Sequence, residues 1–126
     1  MGGTSRLRPF TGPIADPIWV VRVDPDDGSA FVLRDTPVLV RLSGPVNPAT
    51  VTHRTVRVVD AHGPVPAELS LSADQRVVIW CPQRLMVPAV EHELMVCGLL
   101  DHRGQVVPNH ASRFYPCSFA REDFTG

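Results

Sequence analysis

Residues 35–51, which read DTPVLVRLSGPVNPATV, decide the fold of this chain. In the first half, Val38, Val40 and Leu42 fall on one face of an extended segment and the residues between them fall on the other. Apolar residues at every second position predict a half-buried β-strand over residues 37–43. The second half predicts a single helical turn that Asn47 caps and Pro48 begins.

Short apolar segments separated by turn residues continue on both sides of this stretch. We predict further strands over residues 18–23, 30–33, 55–60, 65–71, 76–81, 91–98 and 112–119. The 13 prolines are spread along the chain, and proline is excluded from helix interiors, so long helices are not expected. Turn residues recurring about every 8–12 positions indicate an all-β fold, an immunoglobulin-like β-sandwich of about seven to eight antiparallel strands.

The length of 126 residues corresponds to one domain. We divide it into an extended N-terminal arm at residues 1–17, the sandwich at residues 18–119 and a C-terminal tail at residues 120–126. Cys81, Cys97 and Cys117 lack the CxxC spacing of a zinc site, and we expect buried, reduced thiols. One disulfide with a spare thiol is the alternative.

Charge and hydropathy narrow the classes of partner. The formal net charge is −1 and no basic patch is visible, so we expect no nucleic acid. No apolar run reaches the ~18 residues that cross a bilayer, so no transmembrane segment is expected. Pro9, Pro13, Asp16 and Pro17 interrupt any leader-like segment. We therefore expect a cytoplasmic location, or a place in a particle or membrane-associated complex, rather than classical secretion.

Five short motifs follow one another along residues 24–119. They are PDDG at 25–28, GPVNPATV at 44–51, LMVPAVEHEL at 85–94, DHRGQ at 101–105, and Phe114. In this order they resemble the immunoglobulin-like domain of bacterial S-layer and other bacterial surface proteins, as a single module. The chain departs from that pattern at Asn47, His92 and Gln105, where the family has Asp, Tyr and Asn. The resemblance implies a structural scaffold with adhesion or assembly roles.

Catalytic and metal-binding patterns are weak. No GxSxG elbow is present, the five histidines lack the spacing of a metal site, and we expect neither an enzyme nor a cofactor. We expect His92 to be a semi-buried ring with one polar partner. Asp24, Asp26 and Asp27 offer the oxygen ligands of a calcium site. The distal Glu of the full loop pattern is missing, so a surface turn is favoured.

Binding residues are predicted in the termini and among the aromatic side chains. We expect Trp19 and Trp80 in the core, with an exposed row of Trp80 and Val78 as the alternative. Our hypothesis is a structural subunit that binds other protein subunits of a larger assembly through sheet edges and termini. Its partner-binding candidates are Arg6, Arg8, Phe10, Ile14, Trp80, Phe119 and Phe124. The alternative is a carbohydrate- or cell-surface-binding (adhesion) module that uses exposed aromatic rings on a glycan.

Overall fold

A computed structural model describes residues 17–124, without the side chains of Glu122 and Phe124. The predicted arm, with Arg6, Arg8, Phe10 and Ile14, lies outside the described residues apart from Pro17. Two short 3-10 turns cover Pro48–Thr50 and Arg121–Phe124. The strands of this region are β1 (Val20–Asp24), β2 (Ser29–Val32), β3 (Val38–Leu42), β4 (Val56–Asp60), β5 (Gly63–Pro64), β6 (Ala67–Leu71), β7 (Val77–Pro82), β8 (His92–Val96) and β9 (His110–Pro116).

The strands form two sheets, which confirms the predicted β-sandwich. One sheet has the order β1-β3-β7-β6 and the other has the order β2-β9-β8-β4-β5. Two details differ from the prediction. Nine strands are present within residues 17–124, and β2 pairs with β9 in parallel. The additional strand is β5, which pairs with β4. The turn at residues 25–28 carries the chain from the first sheet to the second.

That crossing places β1 and β2 side by side, each at the edge of its own sheet. Gly28 ends the turn with a φ of +87°, a left-handed conformation that glycine adopts without steric cost. Its N–H donates to the carbonyl of Arg113 on β9 at 2.7 Å, which begins the pairing of β2. This side of the sandwich therefore carries two open strand edges.

The core lies between the two sheets. Val38, Val40 and Leu42 of β3 are buried, as their alternation predicts. They face buried residues of the opposite sheet, which include Val56, Val58, Leu94, Val96 and Phe114. Apolar burial of this kind is the main stabilising contribution to a sandwich.

Trp80 belongs to this core, with 1% of its surface exposed. It lies on β7, which is paired on both edges by β3 and β6. Val78 shares the inward face and is also buried. The expectation of a core Trp80 is confirmed. Its assignment as a partner-binding residue, and the exposed row with Val78, are wrong because this face of a central strand covers the opposite sheet.

The predicted helical turn after β3 is present. The Asn47 side chain accepts a hydrogen bond from the N–H of Ala49 at 3.0 Å, and Pro48 occupies the first turn. The Val51 N–H donates to the Pro48 carbonyl at 3.1 Å and ends it. Asn47 therefore caps the turn from its N-terminal side, as its position before a proline predicts.

The cysteines are not buried as predicted. All three are free thiols; Cys81 and Cys97 are exposed and Cys117 is half-buried. Cys81 lies on the outer face of β7, opposite to Trp80, and Cys97 follows the last inward residue of β8. In residues 17–124 no helix combines the length and the apolar character needed to cross a membrane.

Candidate functional site

A groove runs along the side of the sandwich where β1 and β2 end their sheets. Its cavity volume is ≈ 660 Å³. Apolar side chains make up most of its lining, with Asp24 and Arg121 as the charged residues. The apolar part includes Pro25, Phe31, Leu33, Pro37 and Leu39. We call this feature the edge groove.

Phe31 is the most exposed large apolar side chain of the groove, with 89% of its surface accessible. It lies on β2, whose next residue, Val32, is buried against the core. β2 is apolar on both faces but only one face is covered, because the strand is only four residues long and lies at a sheet edge. The sequence predicts the extended segment at residues 30–33, but Phe31 is not among the predicted binding residues. Apolar residues on both faces of a short strand were the available indication.

The C-terminal segment is attached beside the groove by backbone hydrogen bonds. The N–H of Cys117 donates to the Val32 carbonyl at 2.8 Å, and the N–H of Arg34 donates to the Phe119 carbonyl at 3.0 Å. The Arg121 N–H then donates to the Asp35 side chain at 2.6 Å. These bonds place Arg121 at the groove and keep Phe119, a predicted partner-binding residue, exposed on the same side. Phe124 lies in the following 3-10 turn, and the prediction for its side chain falls outside the described atoms.

Two of the three aspartates of the calcium candidate, Asp24 and Asp27, are directed to different partners. Asp24 pairs with Arg22 at 3.1 Å and with Arg41 at 3.2 Å. Asp27 accepts a hydrogen bond from the backbone N–H of Arg113 at 2.8 Å. In the described part of the chain, no three His, Cys, Asp or Glu side chains lie close enough to hold a metal ion. Asp24 and Asp27 are therefore engaged with protein groups at the turn of residues 24–28.

A second concave surface lies at the other end of β1. It has a volume of ≈ 300 Å³ and includes Trp19, Ser43, Asp101 and Arg103. Trp19 is 48% exposed, so the expectation that it belongs to the core is wrong. It directly precedes β1, which is an edge strand and pairs with β3 on one side only. We call this feature the Trp19 pocket.

Hydrogen bonds fix both sides of the Trp19 pocket. The Ser43 N–H donates to the Trp19 carbonyl at 3.0 Å, and the Trp19 N–H donates to the Ser43 hydroxyl at 3.1 Å. Asp101 has 4% of its surface exposed. Its Oδ1 accepts from the N–H groups of Arg103 at 2.8 Å and Gln105 at 2.9 Å. The turn at 101–104 that the sequence predicts thus has a buried carboxylate at its centre.

A buried imidazole lies in the core, away from both surfaces. The ring of His92 is fully buried and stacks on Phe114 with centroids 5.5 Å apart. Its Nδ1 lies 3.0 Å from the Val90 carbonyl, and its Nε2 has no hydrogen-bond partner. Asp60 Oδ2 is 3.7 Å from that nitrogen. The ring has the one polar partner that we expect, but it is buried rather than semi-buried because β8 is a central strand.

Charged groups gather on the outer face of the five-stranded sheet. Arg113 Nε lies 3.5 Å from Glu91 and 3.9 Å from Glu93. The Tyr115 hydroxyl donates to Glu91 at 3.1 Å. That hydrogen bond, together with the negative charge of Glu91, raises the pKa of Tyr115 above its ordinary value of 10.0. These side chains are in contact with water and form a solvated network.

Comparison with solved structures places the chain among bacterial β-sandwich domains. The N-terminal part of the bacterial S-layer protein SbsC has 15% identity and a TM-score of 0.62, over 82% of this chain and 24% of that chain. PcoC, a methionine-rich copper resistance protein from Escherichia coli, has 13% identity and a TM-score of 0.65, over 79% of this chain and 98% of that chain. An L,D-transpeptidase from Mycobacterium smegmatis has 22% identity and a TM-score of 0.58, over 80% of this chain and 40% of that chain.

These similarities describe a fold. The sequence matches no family model, and no curated protein matches it. The chain spans 14% of a longer SbsC structure. The resemblance to bacterial surface-protein domains is thus confirmed for the β-sandwich, and the specific immunoglobulin-like type stays a prediction. The chain is a β-sandwich whose fold is similar to that of domains in a bacterial S-layer protein.

Proposed function

We propose that this chain is a non-catalytic module that binds a partner protein subunit of a larger assembly along the edge groove. The observation that carries the proposal is Phe31, which leaves 89% of its surface exposed beside an apolar groove of ≈ 660 Å³. Large exposed apolar patches mark interaction sites in soluble proteins. The similarity in fold to domains of an S-layer protein supports the same proposal.

The energetic contribution of Phe31 is large enough to anchor an interface. Its accessible surface corresponds to roughly 180 Å² of aromatic area, since a buried Phe covers about 150–250 Å². At about 25 cal/mol per Å², burying it contributes about 4 kcal/mol before ordering costs. Aromatic anchors of this size are typical hot spots of protein interfaces.

The geometry of β2 favours side-chain docking over a long added strand. The strand has four residues and its register with β9 is irregular. Short and bulged edges pair poorly with further strands. A partner segment would therefore place an apolar side chain in the groove, with Asp24 and Arg121 at its polar rim. Asp24 is already paired with Arg22 and Arg41, so it is not poised as a general base.

Site-specific photo-crosslinking in the native cell tests this function. A photo-reactive amino acid replaces Phe31 in the full-length chain, and in the control it replaces Val106, which is 62% exposed and outside the groove. We expect one protein to be crosslinked at position 31 and not at position 106. Phe31→Ser should reduce co-purification of that protein at least about tenfold, while Val106→Ser should not.

Two results would count against the proposal. Equal crosslinking at both positions, or unchanged co-purification after Phe31→Ser, would remove the edge groove as the site. Isolation of the chain with no stoichiometric protein partner would remove the assembly function itself.

A further inference from the structure

We propose that the Trp19 pocket binds a sugar, a pyranose unit of a neutral polysaccharide whose substituents are equatorial. This site lies at the opposite end of β1 from the edge groove and does not depend on the partner proposed there. The inference rests on three features of one concave surface: an exposed aromatic ring, a carboxylate and a guanidinium. Within residues 17–124, one oxygen of that carboxylate accepts no hydrogen bond and the guanidinium has no partner.

Trp19 supplies the stacking surface. The residue is 48% exposed, and its backbone N–H and carbonyl are both hydrogen-bonded to Ser43. Pro17 and Pro45 add apolar walls to the pocket. A pyranose with equatorial substituents presents a face of C–H bonds, which packs on an aromatic ring. The volume of ≈ 300 Å³ equals the lower limit of about 300 Å³ for small-ligand pockets.

Asp101 supplies the hydrogen-bond acceptor. Its Oδ1 is occupied by two backbone N–H groups of the turn. No hydrogen bond from a described residue to its Oδ2 is present, and Asp101 lines the pocket. A carboxylate oxygen that accepts no hydrogen bond from the described residues of a pocket wall can accept one from a donor on a ligand. A sugar hydroxyl is such a donor.

Arg103 supplies donors on the same turn. Its side chain is exposed and lines the pocket, and it makes no ion pair or hydrogen bond with the described residues. Each sugar hydroxyl both donates and accepts, so a carboxylate oxygen and a guanidinium beside one ring match neighbouring hydroxyls of one sugar. The two opposite charges balance, which favours a neutral sugar over a phosphate or an acidic polymer. An apolar peptide would leave the Asp101 oxygen without a partner.

Titration of the full-length chain with soluble cellopentaose and chitopentaose tests the site. The chain has two tryptophans, and Trp80 is buried, so a saturable change in emission reports on Trp19. We expect saturable binding of at least one of the two sugars in the millimolar range or tighter. Isothermal calorimetry measures the same binding in variants that lack the indole.

Three variants and one control locate the contact. Trp19→Ala should weaken binding at least about tenfold, because the stacking area is lost. Arg103→Ala, at an exposed residue, should weaken it about fivefold without affecting the fold. Asp101→Asn retains the oxygen that accepts the turn N–H groups, replaces the other oxygen by a donor, and should weaken binding about tenfold. Phe31→Ala, in the edge groove, should leave sugar binding unchanged.

The proposal fails if neither sugar binds. It also fails if both Trp19→Ala and Arg103→Ala bind as the unmodified chain does. Crosslinking at position 31 is a separate readout, so loss of the sugar site leaves the assembly proposal intact, and the reverse also holds.

Discussion

Replacement of His92 by Phe should leave the stability of the domain nearly unchanged, although the residue is fully buried. The ring stacks on Phe114, its Nδ1 makes one hydrogen bond to the Val90 carbonyl, and its Nε2 has no partner. A phenyl ring keeps the stacking and has no buried nitrogen to satisfy. The change in the free energy of unfolding depends on two opposing effects. The Nδ1 hydrogen bond is lost, and the burial cost of the unpaired Nε2 is removed.

The separate contributions nearly cancel. Loss of the Nδ1 hydrogen bond costs about 1 kcal/mol, and removal of the unpaired Nε2 recovers about 1–3 kcal/mol. The larger phenyl ring adds a packing cost of about 1–3 kcal/mol in a filled core. His92→Phe should therefore lie within about 1 kcal/mol of the unmodified chain. His92→Ala removes the ring beside Phe114 and should cost about 2–4 kcal/mol, as other large-to-small core substitutions do.

Urea unfolding measured by tryptophan emission compares the variants, because Trp80 is buried in the folded state. With a slope of about 1–3 kcal/mol per M, His92→Ala should lower the midpoint by about 1 M relative to His92→Phe. Asp60→Asn is the control for the 3.7 Å contact with Nε2. It should cost less than about 1 kcal/mol, because this separation is too long for a hydrogen bond. The reasoning is refuted if His92→Phe is as unstable as His92→Ala, or if Asp60→Asn costs more than about 2 kcal/mol. The second result would mean that an ion pair satisfies Nε2, and the first would mean that the packing and hydrogen-bond losses exceed the gain from removing Nε2.

Three further predictions follow from particular side chains. Trp80→Ala should destabilise the domain by about 3–5 kcal/mol in urea unfolding, and a loss below about 1 kcal/mol would contradict its place in the core. The chain has one tyrosine, so phenolate absorbance reports on Tyr115. Glu91→Gln should move the titration midpoint of Tyr115 down towards 10.0. No movement would show that the hydrogen bond to Glu91 is absent. The Ser72 hydroxyl, which donates to Asp74, lowers the pKa of that carboxyl below 3.8. A carboxyl whose pKa is lower in the folded state stabilises the fold at pH values above its unfolded-state pKa. This contribution is lost as the pH falls through the folded-state pKa. Asp74→Asn should therefore lose less stability than the unmodified chain below pH 3.8. An equal loss in both proteins would contradict that interaction.

The central strands could be predicted from the sequence because each one carries its own burial pattern. The alternation of Val38, Val40 and Leu42 reports which face of β3 is covered, whatever its neighbours are. The turn after it is equally local, since Asn47 and Pro48 specify a cap and a first helical position. Local patterns of this kind determined the β-sandwich without any knowledge of strand pairing.

Strand order could not be predicted in the same way, and both candidate sites depend on it. Trp19 and Trp80 each lie in an apolar segment, but only Trp80 is on a strand with neighbours on both edges. Phe31 is exposed because β2 ends its sheet, which is a property of the parallel pairing with β9. Pairing joins residues far apart in the chain, and the sequence of one strand does not specify which strand lies beside it. The exposed aromatic residues were therefore misplaced or missed.

The two proposed sites should act independently although one strand connects them. Trp19 and Asp24 lie at opposite ends of β1, about 17 Å apart at ~3.3 Å per residue. They share no lining residue. Perturbations farther apart than about 7–10 Å, without shared partners, are usually additive. A chain held through Phe31 would thus keep Trp19 available to a glycan. The variant that carries both Phe31→Ser and Trp19→Ala should lose partner binding as much as Phe31→Ser alone and sugar binding as much as Trp19→Ala alone. A larger or smaller loss would mean that β1 transmits a change from one end to the other.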